Sequence, residues 1–155
     1  MKNIFQGYFL PILAILFQLL YSCTPESCFE ETEAFLKASF YNNDTKQLQA
    51  PDSLTIFGLN MELFKVYNKS LKIQTALLPL NPGTDNCKFI IKINGISDTV
   101  ELVYYSFPHL VSKECGYTFY HNIEQPVSTN NIIKYIYLNN SSITTNNEEN
   151  IRIFY

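Results

Sequence analysis

The dipeptide Asn94-Gly95 constrains this chain more than any other feature, because a type I′ turn demands two consecutive positive φ angles and Asn-Gly supplies both at little steric cost. A two-residue turn also fixes the register of the strands on either side. With Ile93 opposite Ile96, one face pairs Ile91 with Asp98, Phe89 with Val100 and Cys87 with Leu102. The other face pairs Lys92 with Ser97, Ile90 with Thr99 and Lys88 with Glu101, the last a plausible cross-strand ion pair. One face is thus apolar and the other polar. Only Asp98 offends, and a longer loop through it would shift the register and remove the offence. In either case Cys87 looks inward.

The same strand-and-turn grammar runs along the rest of the chain. Residues 34–42 are dense in aromatic and β-branched side chains and stop at Asn42-Asn43-Asp44. A second strand is expected over 52–58 between Pro51 and Gly58, a third over 63–67 before Asn68-Lys69-Ser70, and a fourth over 73–80. Pro79 marks that fourth strand as an edge or an end, since proline cannot donate to a ladder. The second hairpin arm should reach Val103-Tyr104-Tyr105 and bend at Pro108-His109. Further strands follow over 117–123, 131–138 and 151–155, the last two separated by a polar stretch, 139–150, in which Ile143 stands alone. Sixteen Asn, 11 Tyr and 12 Phe favour turns and strands over helices. Eight or nine short strands without a repeat predict an all-β fold, a two-sheet antiparallel sandwich of immunoglobulin-like or related topology. The rival, a lipid-facing barrel, needs strands of about 9–11 residues.

The amino terminus reads as an address. Lys2 is the only charge before an apolar run from Ile4 to Leu20, which is at the low edge of the roughly 20 residues a spanning helix needs. Leu20-Tyr21-Ser22-Cys23 follows, and it resembles the lipobox that bacterial signal peptidase reads before a lipidated cysteine. Leu20 and Ser22 fit that pattern better than the bulky Tyr21 does. Residues 1–22 are therefore expected to be a cleaved lipoprotein signal peptide, Cys23 the lipidation site, 23–32 a tether and 33–155 a single domain. A plain membrane anchor or an ordinary secretory signal is the alternative. An acyl chain on Cys23 would make the membrane a partner without any protein crossing it. The predicted address is the outer membrane, facing the periplasm, with the cell surface as the other possibility. From Cys23 onward 10 basic residues stand against 14 acidic ones, a formal charge of −4 with no basic run, so no nucleic acid is expected as a partner.

The order of the short motifs carries a resemblance. Cys23 and Cys28, Phe40-Tyr41, Asp52-Ser53-Leu54-Thr55-Ile56-Phe57-Gly58, Leu78-Pro79-Leu80-Asn81, Phe89-Ile90-Ile91, Asp98-Thr99-Val100, Val111-Ser112-Lys113-Glu114-Cys115-Gly116-Tyr117 and Glu149-Asn150-Ile151-Arg152-Ile153-Phe154 follow one another as in a family of uncharacterised Bacteroidota lipoproteins, a domain of unknown function. The chain resembles that family over nearly all of its length after Cys23. The resemblance implies an envelope address and no particular chemistry.

An exported domain meets an oxidising compartment, so its cysteines are expected to pair. With Cys23 given to lipid, three remain. The hairpin register places Cys87 on a core face, where a free thiol acts as a small apolar residue, and this favours Cys28–Cys115 over the alternative Cys87–Cys115. Chemistry-bearing patterns are sparse. His109 and His121 are twelve residues apart with no metal-binding spacing, and no Gly-x-Ser-x-Gly elbow or phosphate-cradling glycine loop occurs. No catalytic residue, metal or cofactor is expected. Asp52-Ser53-Leu54 and Asp98-Thr99-Val100 resemble sites at which Bacteroidota O-glycosylate envelope proteins, on Ser53 and Thr99, although each also reads as a strand starting after an Asp turn. The functional expectation is a non-enzymatic binding or assembly module that offers loops or an edge strand to another envelope protein. A carbohydrate-binding module for glycan or peptidoglycan, using tyrosine in place of the missing tryptophan, is the alternative.

Overall fold

The structure is a computed structural model that describes residues 27–146 and 148–155, so the signal segment and Cys23 lie outside the described residues. Within them the chain forms eleven strands and no helix. These are β1 (Phe35–Tyr41), β2 (Leu54–Gly58), β3 (Lys65–Ser70), β4 (Thr75–Pro79), β5 (Asn86–Ile93), β6 (Ile96–Ser112), β7 (Gly116–Ile123), β8 (Val127–Ser128), β9 (Tyr135–Leu138), β10 (Ser142–Ile143) and β11 (Ile151–Phe154). They build a four-stranded sheet in the order β4-β1-β11-β9 and a seven-stranded one in the order β10-β7-β6-β5-β2-β3, with β8 on β6. Side chains of both sheets meet in one core, including Leu36, Phe40, Leu78 and Ile153 from the first and Leu54, Ile56, Ile91 and Leu102 from the second. The molecule is a β-sandwich.

The hairpin adopts the register counted from its turn. Ile93 pairs with Ile96, Ile91 with Asp98, Phe89 with Val100 and Cys87 with Leu102, while Lys88 Nζ reaches Glu101 at 3.0 Å on the outer face. Asn94 and Gly95 both hold positive φ, 49° and 94°. Asp98 therefore faces inward, almost without exposure. It is accommodated because the loop entering β9 brings four donors to it: the Thr129 hydroxyl at 2.5 Å and the amides of Asn131, Ile132 and Ile133 at 2.7, 2.8 and 2.9 Å. A buried carboxylate with four donors is a satisfied group. The offence on the apolar face is a loop clamp, and no register shift is needed.

Three expectations are corrected. The sandwich is not wholly antiparallel, since β1 and β11 run parallel, Ala38 opposite Ile151 and Phe40 opposite Ile153. These first and last strands sit side by side with the whole domain between them, which leaves ample chain for the long connection a parallel pair requires. The chain does not leave its strand at Pro108. Here β6 continues through it to Ser112, with Pro108 opposite Phe119. By then β5 has ended, its first residue Asn86 opposite Val103, so the other edge of β6 is open and the missing proline N–H removes no ladder bond there. The polar stretch 139–150 is more than a connection, since it contains β10, in which Ile143 is fully buried and pairs with His121.

Candidate functional site

An open apolar groove of about 710 Å³ lies where the connection from β2 to β3 stands over the connection from β4 to β5. Leu59, Met61, Phe64 and Val66 form one wall, and Leu80, Cys87 and Phe89 form the other. The upper wall folds as a tight hook: the Met61 amide donates to the Gly58 carbonyl at 2.8 Å and the Phe64 amide to the Met61 carbonyl at 2.9 Å, while Asn60 takes φ 64°. Leu63 and Phe64 remain 91% and 73% exposed at the crest of the hook. The lower wall is bolted to the core through buried Tyr104, whose hydroxyl donates to the Asn81 carbonyl at 3.0 Å and meets the Thr84 hydroxyl at 2.9 Å. Burial pushes the Cys87 thiol up to about 11, although its interaction with the Tyr104 hydroxyl works in the other direction. At neutral pH Cys87 is thus a protonated, soft apolar group in the wall. Lys88 is the one charged lining residue. The groove can hold an apolar group but holds no acid–base pair.

The second feature is an arm. Beyond the end of β5, residues 104–112 of β6 and 116–123 of β7 run on as a ribbon, joined by β10 only at its base, at His121 and Asn122. Eight residue steps from Tyr104 to Ser112 correspond to about 26 Å. Phe107, His109 and Tyr120 lie on one face, where His109 stacks on Tyr120 with ring centroids 4.1 Å apart. Leu110, Phe119, Tyr117 and His121 lie on the other. At the tip Gly116 takes φ 74° to turn the chain, and Cys115 beside it is bridged to Cys28, with Cα atoms 4.8 Å apart. The segment from Cys28 then returns along β7 to the body, the Thr118 hydroxyl donating to the Thr32 carbonyl at 2.5 Å. The described part of the tether is exposed throughout, and the bridge makes it a strap fastened at the arm tip. Nothing in its acidic composition signalled this.

A model of a family of unknown function, DUF6452, matches residues 53–155. The chain belongs to family DUF6452. No curated protein and no solved structure matches it. The DUF6452 match takes in β2 through β11 and therefore the groove and the arm, whereas β1, Cys28 and the strap precede it.

The DUF6452 domain keeps the sequence-predicted residues apart. Ser53 is fastened by its backbone to the hairpin turn, its amide donating to Asn94 Oδ1 at 3.0 Å, and it borders a concavity of about 430 Å³ with Phe57, Lys65, Lys69 and Lys92. Thr99 is half-buried on the outer face of β6, its amide bonded to the Thr129 hydroxyl at 3.0 Å. His121 is buried and meets Ser106 Oγ at 2.8 Å, burial alone pushing its pKa down. The ring lies on the face opposite His109, so the two histidines share no site. Among the described residues no group of three His, Cys, Asp or Glu side chains converges as a metal site would require. Sequence reasoning missed the groove wall. The signal was present in Leu59, Met61 and Leu63, which alternate with Asn60 and Glu62, and in Phe64 and Val66, which continue the alternation one residue out of phase, so that a single strand cannot keep all five on one face.

Proposed function

We propose that this protein is a lipid-anchored, non-enzymatic binding module of the bacterial envelope, and that its groove receives an extended apolar segment of another envelope protein. The observation that carries the reading is the groove itself, an apolar concavity whose wall leaves Leu63 and Phe64 in solvent. An exposed apolar patch beside a preformed concavity is the usual mark of an interaction surface. Beside it β3 ends its sheet, so a partner segment can add there as a strand while placing a side chain in the groove. Lys65 and Lys69 on that edge disfavour pairing with a second copy, and they favour a partner whose flanks are acidic. The test is a photo-crosslinking amino acid placed at Phe64 in the full-length protein in its own cells, with the same group at Lys92 as control. A discrete adduct from position 64 alone supports the reading. Equal labelling from both positions, or none from either, refutes it. The anchor is tested separately by Cys23→Ala, which should abolish palmitate labelling and leave an unprocessed precursor.

Glycan binding has one observation in its favour. On the outer face of the four-stranded sheet the Arg152 guanidinium lies 5.5 Å and 5.9 Å from the ring centres of Tyr41 and Tyr137 and pairs with Glu149 at 2.6 Å, which sets hydrogen-bonding groups among partly exposed rings. Retention on a glycan array that is lost in Tyr137→Ala would favour this second reading.

A further inference from the structure

We infer that the bridged tip of the arm is a membrane-contact surface, seated in the interfacial layer of a lipid bilayer through Leu110, Tyr117 and Phe29. The inference rests on the lipid-anchor reading above and adds the orientation of the domain on its membrane. Three observations lead to it. Leu110 and Tyr117 are direct cross-strand partners near the turn, 47% and 73% exposed, so the ribbon ends in an apolar and an amphipathic side chain standing together. Phe29 adjoins the bridge on the strap and is 92% exposed, so the disulfide gathers a third large apolar side chain at the same tip.

The third observation is the length of chain. Only five residue steps separate Cys23 from Cys28, which limits an acyl chain on Cys23 to about 17 Å from the bridge even when the backbone is fully extended. A lipid at that position cannot reach a bilayer without bringing the arm tip close to it. Rings with one polar end are the side chains that settle at the boundary between headgroups and acyl chains. Charge does not supply the attraction, because the strap carries Glu30, Glu31 and Glu33 and the tip sets Lys113 beside Glu114. The contact is therefore apolar and should persist at high salt. The arm then acts as a braced stalk that holds the body, with its groove, off the lipid surface, where a partner can reach it.

The chain contains no tryptophan, so a single introduced indole reports its own surroundings. The full-length lipidated protein is reconstituted into vesicles of phosphatidylethanolamine and phosphatidylcholine, with either plain or brominated acyl chains. Tyr117→Trp and Leu110→Trp report the tip. Ile96→Trp, at the other end of the same strand and about 46 Å away over 14 residue steps, is the control. The expected result is a blue-shifted emission from both tip reporters that brominated lipid quenches at low and high salt alike, with the control unaffected. Vesicles that carry the protein while both tip reporters stay unquenched, or while the control is quenched equally, overturn the inference and leave the anchor standing. Protein that does not float with the vesicles overturns the anchor reading, and this inference falls with it.

Discussion

Truncating Asp98 to alanine removes the acceptor on which the loop entering β9 is hung. Four donors converge on that carboxylate within 2.9 Å, and the amide of Ile133 among them lies in the fully buried part of the loop. Each hydrogen bond to a charged group contributes roughly 1.5–3 kcal/mol net. The four are not independent, however, because water can replace the acceptor at the Thr129–Ile132 side but not at Ile133. The groups left behind are neutral donors, and a buried donor without an acceptor costs about 1–3 kcal/mol, so with Ile133 stranded and the others partly rehydrated a loss of about 2–4 kcal/mol is expected for Asp98→Ala. Against a typical total of roughly 5–15 kcal/mol, this is a large part of the stability. Urea denaturation followed by far-UV circular dichroism measures it. The pH dependence supplies an independent check. Burial would push the Asp98 carboxyl up, but the hydrogen bonds from Thr129, Asn131, Ile133 and Ile132 together hold it below the ordinary value. An unfolded aspartate titrates near 3.9, so this stabilisation is complete above about that pH and is lost as pH falls through the folded value. Asp98→Ala should lose less stability than the native chain on acidification below about pH 4. A loss under about 1 kcal/mol at neutral pH, or an unchanged acid slope, would refute the clamp.

The bridge and the free thiol yield two further expectations. Cys28–Cys115 closes a loop with a sequence separation of 87, for which restriction of the unfolded chain is worth about 4–5 kcal/mol; since Cys115→Ala also frees the strap and arm tip in the native state, a loss of about 2–4 kcal/mol is expected in urea. Cys87→Ala should cost about 1 kcal/mol, and alkylation of native Cys87 should be slow at pH 8 and accelerate toward its value of about 11; labelling at the rate of a free cysteine at pH 8 would contradict its burial in the groove wall.

What the sequence made legible was local. The Asn94-Gly95 turn carries its own backbone geometry, and one turn propagates a register over eight pairs down to Asn86 and Val103 without any knowledge of the fold. That same reading misjudged Asp98, because the donors that justify it lie 31 to 35 residues away in a loop whose sequence, Thr129 to Ile133, looks like an ordinary connection. The strand around Ile143 was missed for a related reason. Two residues of strand carry no period, so only the shape of β7 shows why an isolated apolar residue in a run of Asn, Ser and Thr is fully buried. The parallel contact of β1 with β11 joins the two ends of the described chain, and no local pattern announces such a pairing.

The groove and the arm were illegible for a different reason, since both arise where pairing stops. β6 has 17 residues and β5 only eight, so one strand outruns its neighbour and continues with β7, which β10 flanks only at the base. Pro108 marks that passage. A proline in the middle of a ladder argues against a central strand, and in isolation it reads as a bend, yet on a ribbon with one open edge it is also a guard against a further strand adding there. The length mismatch, the proline and the Cys28–Cys115 bridge thus serve one arrangement, in which the ribbon projects, is kept from pairing elsewhere, and is tied to the segment that leads toward Cys23. A domain that needed only to be tethered could hang from an acidic linker of any length. Under the lipid anchor proposed at Cys23, fastening that linker to the far end of a projecting ribbon would set the direction in which the body extends from the membrane, and the groove at the root of the arm would inherit that direction.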